Sequence, residues 1–138
     1  MKPAPKWVQD LTLKTLVQFA PNGDVPFLIT RNSYGEFSSG SCHDEVIRLN
    51  IGRDRTDAKL VLLHELCHWV RPKISKTYGH GQYARTYAVC EGHTDAFWDL
   101  CWAVYRWAGL PMRYCYKRES SYKIGAIKAY KRLKKKEA

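Results

Sequence analysis

The run Ala58-Lys59-Leu60-Val61-Leu62-Leu63 leads directly into His64-Glu65-Leu66-Cys67-His68, an HExxH spacing at the end of an apolar segment. In a helix, residues four apart lie on one face, about 6 Å apart along the axis. Two imidazoles at that spacing can grip one zinc ion through their ring nitrogens, and the glutamate between them points at water that the metal polarises. The spacing therefore points to metal-assisted hydrolysis, with His64 and His68 as ligands and Glu65 as general base. Asp54 or Thr56 can cap the start of this helix, Asp57 suits its first turn, and Pro72 stops it.

Working outward, Trp7, Val8, Leu11, Leu16 and Phe19 recur at three- and four-residue intervals and predict an N-terminal amphipathic helix ended by Pro21-Asn22-Gly23-Asp24. Val25 to Thr30 and Glu45 to Ile51 read as strands, with a Gly- and Ser-rich hairpin region between them. Strand followed by motif helix is the order needed for a sheet to lie under a metal and offer an edge to an extended peptide. Residues 73 to 92 hold three glycines and three tyrosines without clear periodicity and read as a long loop with one short helix. Thr94 to Ala108 is a strong helix with an apolar stripe of Phe97, Trp98, Leu100, Cys101, Val104 and Tyr105, read as core and ended by Gly109 and Pro111. A weaker stripe, Ala126, Ile127, Tyr130 and Leu133, runs through a basic C-terminal helix.

A length of 138 residues favours one domain with a core that needs no disulfides. Cys42, Cys67, Cys90, Cys101 and Cys115 contain no CxxC pair, so neither a disulfide framework nor a zinc ribbon is indicated. They read as reduced, mostly buried thiols. The first residues lack an apolar signal region and no run approaches the ~20 apolar residues of a membrane span, so a cytoplasmic protein without membrane contact is expected. The net charge of +10 is concentrated: residues 117 to 138 carry nine Lys or Arg against two Glu. The expected division is a nearly neutral body, 1–116, and a basic helix or tail, 117–138, that favours polyanions such as nucleic acid.

A catalytic zinc usually takes three protein ligands and keeps one position open for water. Arg71 and Ile74 stand where an HExxHxxGxxH pattern needs glycine and histidine, which excludes that arrangement. Glu91 with Asp95 loosely matches an ExxxD arrangement, and His80 and His93 are the remaining candidates. The HELCH segment, a variable loop, and then a histidine followed by an aromatic anchor and a helix resemble the small zincins of the SprT-like and WLM metallopeptidase group. That resemblance covers roughly residues 45 to 108 and implies a third ligand in a His-x-x-x-Phe pattern, often followed by Trp. His93 matches through Phe97 and Trp98, whereas His80 is followed by Gly81 with Tyr83 in an aromatic place. The absence of a CxxC ribbon separates the chain from the DNA-repair members of the group. The resemblance implies an α+β fold: a minimal zincin-like domain whose small antiparallel or mixed sheet packs on the motif helix, with flanking helices. It also implies a zinc-dependent peptidase acting on protein or peptide, with His64, His68 and His93 as ligands. Hydrolysis also needs a group that stabilises the oxyanion, and Tyr78, Tyr83, Tyr87 and Arg85 in the loop are the candidates. Two other classes are compatible with the residues: a nucleic-acid-binding protein with structural zinc, and an interaction module on the same scaffold.

Overall fold

A helix that is apolar almost all the way round, as the chain is from Ala58 to Cys67, is stable only with packing partners on several sides. The computed structural model, which describes residues 4–21, 23–31, 40–43, 46–52, 54–120 and 124–137, gives it three. The motif helix, α2 (Arg55–Val70), lies between α1 (Lys6–Phe19), α3 (Asp95–Trp107) and a small sheet formed by β1 (Phe27–Arg31), β2 (Gly40–His43) and β3 (Val46–Asn50). Leu60, Leu62, Leu63 and Leu66 are fully buried there. Asp54 caps α2 by accepting the Thr56 N–H at 3.1 Å, and the chain turns to extended backbone at Arg71, immediately before Pro72.

β3 is the central strand of the sheet. It runs parallel to β1, with Leu28 opposite Ile47, and antiparallel to β2, with Cys42 opposite Ile47. Ile47 and Leu49 enter the core under α2, while Arg48 between them faces solvent. The fold is thus α+β with a mixed sheet against the motif helix. The Gly- and Ser-rich stretch expected as a hairpin region lies largely outside the described residues.

Residues 73 to 92 differ from the expected loop. β4 (Lys73–Tyr78) and β5 (Arg85–Cys90) form an antiparallel hairpin closed by a single 3-10 turn, Gly81–Tyr83. Every residue of β4 is exposed, and Lys76 interrupts the face that carries Ile74 and Tyr78, so β4 lacks the clean apolar–polar alternation of a half-buried strand. Thr77 and Thr86 pair their hydroxyls across it at 2.8 Å, and Arg71 and Glu91 form an ion pair across its base.

The C-terminal helices are α4 (Met112–Ser120) and α5 (Ile124–Glu137). α3 ends in a glycine turn: Gly109 has φ +76° and the Leu110 N–H returns to the Tyr105 carbonyl at 3.1 Å. The expected boundary between residues 116 and 117 falls inside α4, and α5 packs on both α3 and α4. Ala126 and Ala129 are buried, and the Trp102 indole N–H donates to the Ala126 carbonyl at 3.0 Å. The basic C-terminal helix is therefore also a wall of the core. Among the described residues, no helix is long and apolar enough to cross a membrane.

The seating of α5 is close enough to make a sharp prediction. A Cβ at Gly125 would come within 2.9 Å of the buried Trp98 indole. Gly125→Ala should therefore lower stability by about 1–3 kcal/mol, although alanine is favoured in a helix by up to ~1 kcal/mol. Thermal unfolding checks the sign: a melting temperature lowered by several degrees is expected, and an increase would mean that α5 does not seat on Trp98.

Candidate metal centre

His64 and His68 share one face of α2, as i, i+4 spacing requires. The third imidazole arrives from the far side of the hairpin. Gly92, at φ +89°, turns the chain. Thr94 caps α3 by accepting the Phe97 N–H at 3.2 Å, so His93 sits just outside the helix, beside the other two. Ligand atoms of His64, His68 and His93 all lie within 4.8 Å of one another, and this group can hold a metal ion. The Nε2 atoms of His64 and His93 are 3.4 Å apart. Two nitrogens bound to zinc at about 2.05 Å in a tetrahedron are separated by about 3.3 Å, so the spacing fits. His64 is buried, His68 half-buried and His93 exposed, which leaves the centre open to solvent on one side.

α3 supports two of these rings with consecutive aromatic residues. Phe97 stacks on His68 at 4.1 Å between centroids, and Trp98 stacks on His93 at 5.3 Å. Both aromatics are buried, so they are core and ligand support at once.

The third ring, His64, is oriented by a residue that sequence reasoning missed. Its Nδ1 lies 2.7 Å from Glu119 Oε2, and the Tyr105 hydroxyl donates to the same oxygen at 2.7 Å. A carboxylate only accepts, so Nδ1 carries the proton and Nε2 is left with a lone pair for a metal. Glu119 is carried here by α4, which is fastened to the first turn of α2. Tyr114 donates its hydroxyl to Asp57 Oδ1 at 2.6 Å, and Arg118 donates to the same oxygen at 2.9 Å. Nothing local in the sequence signals this role, because an acid between Arg118 and Ser120 reads as surface charge.

The charges are uneven. Burial pushes the Glu119 carboxyl up, but the hydrogen bonds from His64 and the Tyr105 hydroxyl, with the nearby Arg118 cation, together hold it below the usual range. A buried carboxylate persisting as an anion makes a cation in the centre favourable. Glu65, a buried acid on α2 next to His64, is pushed above the usual carboxylate range by burial, and the Glu119 charge adds to this.

The remaining candidates sit elsewhere. His80 is exposed at the hairpin turn. Glu91 is engaged by Arg71 and, at 3.4 Å, by the Thr94 hydroxyl, and Asp95 is exposed in the first turn of α3. Tyr78, Tyr83, Tyr87 and Arg85 all belong to the exposed hairpin, where Arg85 donates to the carbonyls of Gln82 and Ala84. Comparison of the chain with protein-family models, curated proteins and solved structures finds no match.

The geometry makes two predictions about metal affinity, measurable by competition with a chromophoric chelator. His93→Ala should weaken binding sharply and His80→Ala should leave it unchanged; a reversal would exchange their roles. Glu119→Gln keeps the side-chain shape but removes the charge that orders His64, and should weaken binding about 10–100-fold. Unchanged affinity would mean that the carboxylate does not tune the site.

Proposed function

We propose that the chain is a zinc-dependent hydrolase of the peptidase type, working on protein or peptide. The observation that carries the reading is the convergence of three imidazoles beside a buried glutamate, in an HExxH spacing that resembles the SprT-like and WLM group. Zinc is the preferred ion because an all-imidazole set suits it, and the 3.4 Å between the Nε2 atoms of His64 and His93 matches two ligands of a tetrahedral ion. Among the described residues the group contains three ligands, not the four of a closed structural site, which favours catalysis over a purely structural ion.

Zinc bound there supplies Lewis acidity to a carbonyl and makes water acidic near neutral pH. The chain's own residues do the rest. Glu65, held on α2 between His64 and His68, accepts the proton of the attacking water and returns it to the leaving amine nitrogen. Glu119 and Tyr105 keep His64 in the tautomer that presents Nε2. The exposed side of His93 is where substrate enters, and the hairpin β4–β5 runs out from the segment that carries it. A cytoplasmic setting agrees with the free buried thiols of Cys67, Cys101 and Cys115.

Glu65→Gln tests the reading. Zinc content should remain while hydrolysis of a casein or peptide substrate falls by ~10²-fold or more. If the variant cleaves as fast as the wild type, Glu65 is not the base, and if neither protein cleaves any peptide while both hold zinc, the centre is structural.

A further inference from the structure

A groove away from the metal centre lies between α4 and α5. It is open, about 520 Å³ in volume, and lined by Tyr116, Tyr130, Lys131, Lys134 and Lys135. The volume falls in the roughly 300–1,000 Å³ range of small-ligand sites. Its floor is two tyrosine rings 4.7 Å apart, with Tyr130 held from beneath by Trp102 at 5.0 Å. Positions 130, 131, 134 and 135 share one face of α5, which sets the three ammonium groups along one wall. Lys134 lies over the Tyr130 ring at 5.4 Å and 3.9 Å from Glu137, whose carboxylate is also paired with Arg106. For Lys131 and Lys135 no ion pair is present among the described residues, while Arg132, on the neighbouring face, is taken up by Asp99 at 2.8 Å.

Aromatic floor and cationic wall answer two different parts of one ligand. We propose that this groove binds single-stranded nucleic acid, with a base lying against the tyrosines and flanking phosphates held by Lys131, Lys134 and Lys135. Ring stacking is open to an unpaired base and closed to one inside a duplex, so the aromatic floor selects single strands, whereas the lysines alone would accept any polyanion. An acidic peptide would satisfy the lysines, but it offers the floor a ring only where an aromatic residue falls beside its acids, whereas every nucleotide carries a base next to its phosphate. An anionic membrane would need a broader apolar face than this groove offers. The inference is independent of hydrolysis, because none of the five residues belongs to the metal centre.

The test is fluorescence anisotropy of the full chain with a labelled oligothymidylate of about 15 nucleotides, and with a duplex of the same length, across a salt series. The single strand should bind more tightly. Lys131→Gln, Lys134→Gln and Lys135→Gln together should weaken binding and flatten the log affinity against log salt slope by about 2, at ~0.7 for each phosphate that is no longer neutralised. Tyr116→Leu should weaken binding about tenfold with the slope unchanged, and Tyr116→Phe should bind as the wild type. Removing three charges elsewhere, with Lys14→Gln, Arg31→Gln and Lys76→Gln, should leave affinity within about twofold. Melting temperature and zinc content measured on every variant separate damage to the groove from unfolding or from damage to the metal site.

Equal weakening by the two charge sets, tighter binding to duplex, or indifference to Tyr116→Leu would overturn the proposal. So would groove-dependent binding to phosphatidylserine vesicles in place of the oligonucleotide.

Discussion

The bond from His64 Nδ1 to Glu119 is the interaction on which the site depends. It joins residues 55 positions apart, on α2 and α4, at 2.7 Å, with both side chains nearly or fully buried. Burying a charge is costly unless it is paired and fully hydrogen-bonded. Glu119 meets that condition through His64 and the Tyr105 hydroxyl, and in doing so it fixes which nitrogen of His64 faces the other imidazoles. The packing of α4 on the start of α2, through Asp57, Tyr114 and Arg118, is what brings the carboxylate into range.

The second constraint is α3. Its Thr94 cap and the turn at Gly92 place His93, and its next two inward residues, Phe97 and Trp98, lie against His68 and His93. α5 then closes behind Trp98 at Gly125 and accepts the Trp102 indole N–H. α5, which carries six Lys or Arg, therefore has two faces with different work: one seals the aromatic core that backs the candidate metal centre, and the other displays lysines beside Tyr116 and Tyr130.

What the sequence made legible is what short-range spacing encodes. The four-residue interval of His64 and His68, the Asp54 cap and the stop at Pro72 fix α2 without knowledge of its surroundings. The resemblance to a His-x-x-x-Phe pattern favours His93 through Phe97 and leaves His80 as the alternative, and the structure groups His93 with His64 and His68. The hairpin β4–β5 was not legible, because Lys76 and Arg85 break the face that holds Ile74, Tyr78, Tyr87 and Val89, and an exposed ribbon has no buried side to enforce a cleaner period. Glu119 was not legible either. Its partner lies 55 residues away, and its immediate neighbours are a cation and a serine, so only the packing of α4 reveals that it is buried. The division at residue 116 followed charge, whereas the core follows the buried small residues Ala126 and Ala129.

X-ray absorption at the zinc edge, on full-length protein loaded with one equivalent of zinc, tests the central claim most directly. The account predicts a first shell of three imidazole nitrogens at about 2.0 Å with one further light atom and no sulfur. A sulfur scatterer at about 2.3 Å, or a shell containing fewer than three imidazoles, would contradict it.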